Sequence, residues 1–343
     1  MKTMTGTTLL AGLVVIGITA SGVSRAFGQQ SFHVVPSPQV PDAVLTGATA
    51  ITDNDIWAIG NIFQTHATFA EHFNGSNWNL VATPGVNGGD FESMDAAASN
   101  DVWAVGYQSA GSSITTLIEH WNGASWSVVS SPKVGHGSFL RTVTAISATD
   151  AWAAGAMNNL SALLIEHWNG TSWSVVSNPA FIGVGAVNGI SADASNDVWV
   201  VAGATILHWD GQTWTQVPPP SRFGANAVTV LSPTNVWAVG NRPEPGPNDT
   251  EAAIAHWDGT SWSFVASPNP NPRGTSSFGV IAAVSANNIW AFGGSHFEHW
   301  DGTSWSLITN STGADVMAAT ALSDGTVVAV GEGSDGGAVI LHN

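Results

Sequence analysis

One stretch recurs six times along the chain and restricts it to a repeat architecture. Its cleanest copy reads HWNGTSWSVVS, from His167 to Ser177, and related copies begin at His72, His120, His208, His256 and His299. In all six, the His and the closing Trp stand six residues apart, with Asn-Gly or Asp-Gly between them. That dipeptide between two apolar-rich runs is a hairpin signal. A two-residue type I′ turn is the expected form, because both of its central residues need positive φ.

A second element precedes each hairpin: an apolar strand that contains Trp and usually ends in Gly. Its copies are IWAIG at Ile56, VWAVG at Val102 and Val236, AWAAG at Ala151, VWVVAG at Val198, IWAFG at Ile289 and, without Trp, VVAVG at Val327. A turn of Asp, Asn and Ser lies just ahead of it, and ahead of that a run of small residues such as GATAIT or VTAIS. The unit therefore reads as four strands. Small side chains belong innermost, where neighbouring sheets converge on an axis. A continuous apolar run fits a strand covered on both faces. The alternation in SWSVVS fits an outer, partly wet edge strand. No stretch sustains a 3.6-residue period, so no helix is expected beyond the N-terminal segment. All 17 Trp fall on three positions of the unit. A residue repeated once per unit, whatever the neighbouring loops, is a filler between adjacent sheets before it is a sugar-stacking platform.

Counting units fixes the closure. Six are complete, and a seventh begins at Val316 and stops at Asn343 before its hairpin closes. The missing strand is at the other end, where SFHVVPSP (Ser31 to Pro38) matches SWSVVSSP (Ser125 to Pro132) with Phe32 in place of Trp. The expected fold is all-β: a seven-bladed β-propeller of four-stranded blades, closed by the N-terminal strand completing the last blade. The blades are expected at about 43–84, 91–132, 141–179, 187–219, 226–268, 278–310 and 316–343 plus 31–38, close to the blade lengths of known propellers.

The pattern of apolar strand, Gly and His-Trp-Asn-Gly-Thr-Ser-Trp resembles a divergent kelch-type propeller, of the broad group that includes the galactose oxidase central domain. Two features depart from it. The double glycine after the second strand occurs only at Gly293-Gly294, and His-Trp-Asn/Asp-Gly stands where kelch repeats carry a Tyr-Asp-Pro turn. The chemistry of that group does not carry over either. Its copper site needs a Cys-Tyr pair, and this chain has no Cys and a single Tyr, Tyr107.

Residues 1–28 read as a signal peptide. Lys2 is followed by an apolar run from Leu9 to Ala20 and by the small-x-small pattern Ala26-Phe27-Gly28. The run is shorter than the ~20 residues that span a bilayer. The single domain is then 29–343, secreted or extracytoplasmic, with no membrane insertion after cleavage. Loss of Lys2 and Arg25 leaves five basic against 24 acidic residues. That balance repels phosphate backbones, so no nucleic-acid partner is expected. Charged residues make up 9% of the chain, against roughly 25% in ordinary globular proteins. Much of the chain must therefore be covered on both faces.

Seven His share one position in the third strand: His72, His120, His167, His208, His256, His299 and His342. They sit too far apart for a shared metal, on the order of 15 Å for strands spaced ~4.8 Å, whereas zinc ligands stand ~2 Å from the ion. Each is expected to bond a neighbouring blade or loop. Glu71, Glu119, Glu166 and Glu298, one residue earlier, are expected solvated or paired at a blade edge. Asp55, Asp101, Asp150 and Asp197 lack calcium-loop spacing and read as Asx-turn residues. No metal or cofactor is expected.

The informative asymmetry lies in the loops. Connections after the second and fourth strands vary in length and open on one face of a propeller. The five basic residues beyond the N-terminal segment, Lys133, Arg141, Arg222, Arg242 and Arg273, lie in or beside them, as do His66, His136 and His296. Loops on a rigid scaffold carry recognition. The leading reading is a monomeric, extracellular binding module whose variable-loop face takes a glycan or protein ligand through His136, Arg141, Arg222, Arg242 and Arg273. An extracellular enzyme (polysaccharide lyase, hydrolase or lactonase) at the channel mouth and a purely structural cell-surface repeat are the alternatives, and no catalytic residues are assigned. Expression of the full chain in an exporting host should release a product starting at Gln29 or Phe27. An intact mass that still includes Met1 to Gly28 would rule out a cleaved signal.

Overall fold

The computed structural model describes residues 31–343 except 87, 136, 158–161, 177–186, 245–248, 269–275 and 295. The expected signal segment lies outside the described residues. Seven antiparallel sheets of four strands each make up Ser31–Asn343. In the first blade the strands are Ala43–Thr52, Asp55–Ile62, Ala67–Phe73 and Trp78–Val81, paired in that order from the inside outwards. Each inner strand touches the inner strand of the next blade, and the first touches the last, so the sheets close a seven-bladed propeller around a channel. Among the described residues no helix is long and apolar enough to cross a membrane.

Closure is made by the expected strand. His33–Val34 adds to Ala338–His342 of blade seven, His33 opposite His342 and Val34 opposite Leu341, and the Val35 N–H continues the ladder to the Ile340 carbonyl at 2.8 Å. Phe32 then occupies the place of a fourth-strand Trp. Its ring meets Trp290 edge-on at 5.3 Å and Phe297 at 5.3 Å.

The Trp set is the filler between sheets. Trp57 of blade one lies against Trp121 and Trp126 of blade two at 4.8 and 5.5 Å between ring centroids. The same pairings join Trp103 to Trp168 and Trp173, Trp152 to Trp209 and Trp214, Trp199 to Trp257 and Trp262, and Trp237 to Trp300 and Trp305. Tilted and edge-to-face pairs of this kind add to the area term because ring edges meet ring faces. Where blade seven carries Val328 instead of Trp, Trp78 packs into a cluster with Val328, Val330 and Ile340.

Three local expectations are corrected. First, the hairpins are not two-residue turns. Phe73 pairs with Trp78, leaving Asn74 to Asn77 as a four-residue loop in which only Gly75 has positive φ, at 86°. The Asn74 side-chain oxygen accepts the N–H groups of Ser76 and Asn77, both at 3.1 Å, so the carboxamide does the turning that a second positive φ would have done. Second, the ring histidines bond within their own blade. Nε2 of His72, His120, His167 and His208 meets Asp55, Asp101, Asp150 and Asp197 at 2.6–2.8 Å. His256, His299 and His342 use Asn235, Asn288 and Thr326. The aspartates are therefore the histidines' acceptors. Third, Glu71, Glu119, Glu166 and Glu298 are fully buried, not at a wet edge. Their strand face is pressed against the preceding blade.

Because each sheet meets only its two neighbours, the closing strand controls the whole ring. Deleting Ser31 to Pro38 is expected to lower the melting temperature sharply. Phe32→Ala alone should cost about 3–5 kcal/mol in chemical denaturation, as for other buried aromatics. An unchanged melting curve in the deletion would sink this account of closure.

Candidate functional site

Inner strands of small residues leave little to reach the channel, and one irregularity decides what does. In five blades the inner strand carries a β-bulge near its start. The register skips one residue between Leu45 and Gly47, Phe91 and Ser93, Leu140 and Thr142, Ala225 and Ala227, and Val316 and Ala318. Those residues are Thr46, Glu92, Arg141, Asn226 and Met317, and a bulge re-aims the side chain it frees from the ladder. With Asn188 and Gly279 from blades four and six, they line one cavity of about 340 Å³. The site is thus a ring to which every blade contributes the residue at this position, with Val280 and Val316 beside them. It continues into the channel, about 440 Å³, lined by all seven inner strands. The bulges lie near the starts of the inner strands, so this mouth opens on the variable-loop face.

The sequence carries a signal for these bulges: the Gly that follows the apolar run of the second strand. A Cβ added to Gly60, Gly106, Gly155, Gly240 or Gly331 would stand 1.9–2.1 Å from the carbonyl oxygen of Val44, Asp90, Phe139, Gly224 or Asp315. None of these glycines has positive φ. The constraint is room for the bulged backbone, not backbone freedom. Blade four has Ala202 at this place, and there the inner strand starts at Gly189, opposite Val201, without that bulge.

Three ring residues also fasten the next blade. Thr46 Oγ1 donates to the Phe91 carbonyl at 2.8 Å, Asn188 Nδ2 to the Ala225 carbonyl at 2.9 Å and Asn226 Nδ2 to the Phe278 carbonyl at 2.9 Å. Each carbonyl belongs to the residue just before the next blade's ring position. Glu92 and Arg141 make no such tie among the described residues. They stand side by side on blades two and three, Arg141 exposed and Glu92 half-buried. Burial raises the Glu92 carboxyl above its ordinary range, the Arg141 guanidinium pulls it back and the Asp90 carboxylate raises it again. Asp90 in turn accepts the Tyr107 hydroxyl, whose pKa is pushed up to about 12 by burial first and by Asp90 second. Nδ1 of His66, a residue at φ 49°, lies 3.8 Å from Asp90 Oδ2. One sector of the mouth therefore concentrates its ionisable groups.

Deeper in the wall, Asp95 is structural. It accepts Thr49 Oγ1 at 3.2 Å and the N–H groups of Ala96 and Ala145 at 2.9 Å, joining blades one, two and three. Thr320 and Ser191 hold the same position and accept the N–H of Ala50 and Val230 at 3.0 and 3.1 Å.

Of the residues expected at a site, Arg141 enters the ring. Arg242 lines a different cavity, where it is paired with Glu251 and its guanidinium lies 4.9 Å over the Phe264 ring. Arg222 is exposed in the connection between blades four and five at φ 66°, and Lys133 is exposed after blade two. His136 and Arg273 lie outside the described residues. Thr46, Asn188, Asn226, Gly279 and Met317 were not singled out by sequence reasoning, and the glycine after the second strand's apolar run is the feature that could have found three of them. No group of three His, Cys, Asp or Glu suited to a metal occurs among the described residues. Ser99 and His72 both bond Asp55, the Ser to Oδ2 and the His to Oδ1. The hydroxyl therefore faces the carboxylate and not the imidazole, so this trio does not activate a nucleophile.

No family model and no curated protein matches the sequence. Solved structures do match the fold. YCF48 bound to a D1 peptide has a TM-score of 0.65 at 15% identity, covering 91% of this chain and 94% of that one. YCF48 from Cyanidioschyzon merolae has a TM-score of 0.64 at 16% identity, covering 91% and 98%. The extracellular domain of BT4673 from B. thetaiotaomicron, described as a one-component system, has a TM-score of 0.61 at 13% identity, covering 91% of this chain and 40% of that one. At these identities the likeness is one of fold.

Two glycine substitutions separate the roles of space and position. Gly106→Ala should cost more than about 3 kcal/mol, since the new Cβ overlaps a carbonyl and the backbone must move. Gly279→Ala, whose Cβ meets nothing within 4 Å, should be nearly neutral. Equal melting temperatures for the two variants would show that the bulge does not depend on the glycine.

Proposed function

We propose that this protein is an exported, monomeric binding module that takes a segment of another protein at the channel mouth on its variable-loop face. The observation that carries this reading is the ring itself. A scaffold that otherwise repeats from blade to blade presents Thr46, Glu92, Arg141, Asn188, Asn226, Gly279 and Met317, a varied set, at one equivalent position. Structural repetition explains a residue that recurs; a position that holds six residue types in seven units fits an asymmetric ligand. The fold likeness supports the same reading, since one similar propeller was solved with a bound peptide and another is an extracellular domain. The kelch-type kinship suggested by the repeat remains part of the proposal.

Within the mouth, the residues free to engage a ligand are Glu92 and Arg141, with the exposed Met317 side chain of blade seven on the same ring. An acid beside a base suits the hydrogen-bonding groups of a polypeptide segment, a donor to Glu92 and an acceptor to Arg141. Arg222 is assigned to the approach, and His136 and Arg273 belong to the same loop classes. Arg242 is committed to Glu251 and Phe264.

A screen of Gln29 to Asn343 against a peptide library and a glycan array, with and without EDTA, identifies the ligand class. Arg141→Ala and Glu92→Gln should each weaken the interaction about tenfold or more, and melting should shift by no more than a surface substitution does. Binding that both variants leave intact would place the site elsewhere. A glycan hit in place of a peptide would keep the mouth and change its ligand.

A further inference from the structure

Four of the seven blades carry a buried glutamate one residue before the ring histidine: Glu71, Glu119, Glu166 and Glu298. The other three have Leu207, Ala255 and Leu341 there. The choice follows the preceding blade. Five residues after the aromatic of each fourth strand, the blades that precede a glutamate carry Ser37, Thr83, Ser131 and Ser267, each followed by Pro. The blades that precede Leu207, Ala255 and Leu341 carry Asn178, Pro219 and Asn310 at that place. A hydroxyl in one blade and a carboxyl in the next thus occur together or not at all.

At one interface the paired groups are in direct contact. The Ser131 hydroxyl lies 3.0 and 2.9 Å from the two oxygens of Glu166. The Ser267 hydroxyl is near enough to Glu298 to lower its pKa, yet the carboxyl oxygens of Glu71, Glu119 and Glu298 are buried without a hydrogen-bond partner among the described residues. Glu71 and Glu119 sit at the equivalent place on the face turned to the preceding blade. Across its own sheet each glutamate faces an Ala in the second strand and a Val or Leu in the fourth. No charged or titratable group perturbs any of the four. Burial alone raises Glu71 and Glu119 to about 7. Burial raises Glu166 to about 7 and Glu298 to about 8, with the serine hydroxyl the one opposing influence in each.

We propose that these glutamates are proton-held latches between blades. Neutral, each carboxyl lies buried in its interface without a charge. Ionised, each leaves an anion between two apolar sheets, and the interfaces seven–one, one–two, two–three and five–six loosen together. Three of these are contiguous and include the one that closes the ring, whose hydroxyl, Ser37, lies in the N-terminal closing segment. The sign follows from linkage. A carboxyl whose folded value lies above the ordinary 4.5 contributes its full stability below the unfolded value. That stability is lost as pH rises through the folded value.

The test is thermal melting of the mature chain at pH 5 and pH 8.5. The unsubstituted protein is expected to melt about 10 °C or more lower at pH 8.5, and a variant with all four glutamates changed to Gln should lose most of that difference. Glu92 and Asp95 are shifted in the same direction, so the decisive result is the comparison with the Gln variant. His256, His299 and His342, lowered by burial, act oppositely, losing stability as pH falls. If the fourfold variant does not fold, Glu119→Leu, the residue type of blades four and seven, should raise the melting temperature at pH 8.5 more than at pH 5. A pH dependence that neither the Gln nor the Leu variants reduce would overturn the proposal.

Discussion

The second-strand indole of blades one to five, wedged against two aromatic rings of the following blade, is the contact on which this ring depends. Trp57 against Trp121 and Trp126 is the pattern, and it recurs through Trp237. Such packing couples each sheet to its neighbours and to nothing further away, so the stability of the whole is a chain of nearest-neighbour terms. A chain of that kind is only as sound as its seam. Between blades six and seven the aromatic contact is kept by Phe32, supplied from the opposite end of the polypeptide. Joining the termini inside one sheet makes the last interface as covalently anchored as the others.

A repeat that holds itself together this uniformly has to break its own rule to make a site. The inner-strand bulge is that break. It costs the second strand one side chain, because a carbonyl sits where the Cβ of Gly60, Gly106, Gly155, Gly240 or Gly331 would be. In return it turns one side chain per blade toward the channel mouth. Framework and recognition are thereby separated in sequence: the Trp, His and Gly positions repeat, whereas the bulge position is free to differ. Thr46, Asn188 and Asn226 still serve the framework by bonding the next blade. Glu92 and Arg141 are released from that duty, which is why the proposed contacts fall on blades two and three.

The same economy governs polar groups between the sheets. A chain with 9% charged residues has few ionisable groups to bury, yet it places four carboxyls where water does not reach. Burying an isolated anion is far more costly than burying a neutral acid that can hydrogen-bond. The occurrence of a hydroxyl-bearing residue before every such glutamate, and of none before Leu207, Ala255 and Leu341, shows that these acids are matched to their interfaces and are not accidents of the repeat. The ring histidines obey a parallel rule inside each blade, each finding its acceptor in the turn that opens the second strand.

The sequence by itself determined the sheets, their number, the order of strands within them and the strand that closes the ring. Each of these is a local pattern multiplied seven times, and repetition makes a weak signal legible: a small-residue run, an apolar run, a hairpin and the displaced SFHVVPSP segment. It also identified the Trp positions as filler, because only packing repeats irrespective of loop length. Tertiary structure alone decided which residues meet across interfaces. The four glutamates looked like edge residues beside an exposed fourth strand until the preceding blade covered them. The turn aspartates looked self-sufficient until His72 and its counterparts reached them. Arg141 and Arg242 looked alike as loop cations, yet one enters the channel mouth and the other pairs with Glu251 in a separate groove. In each case the deciding partner lies in another strand or blade, at a distance set by how the sheets are folded together, and no local pattern in the chain encodes that distance.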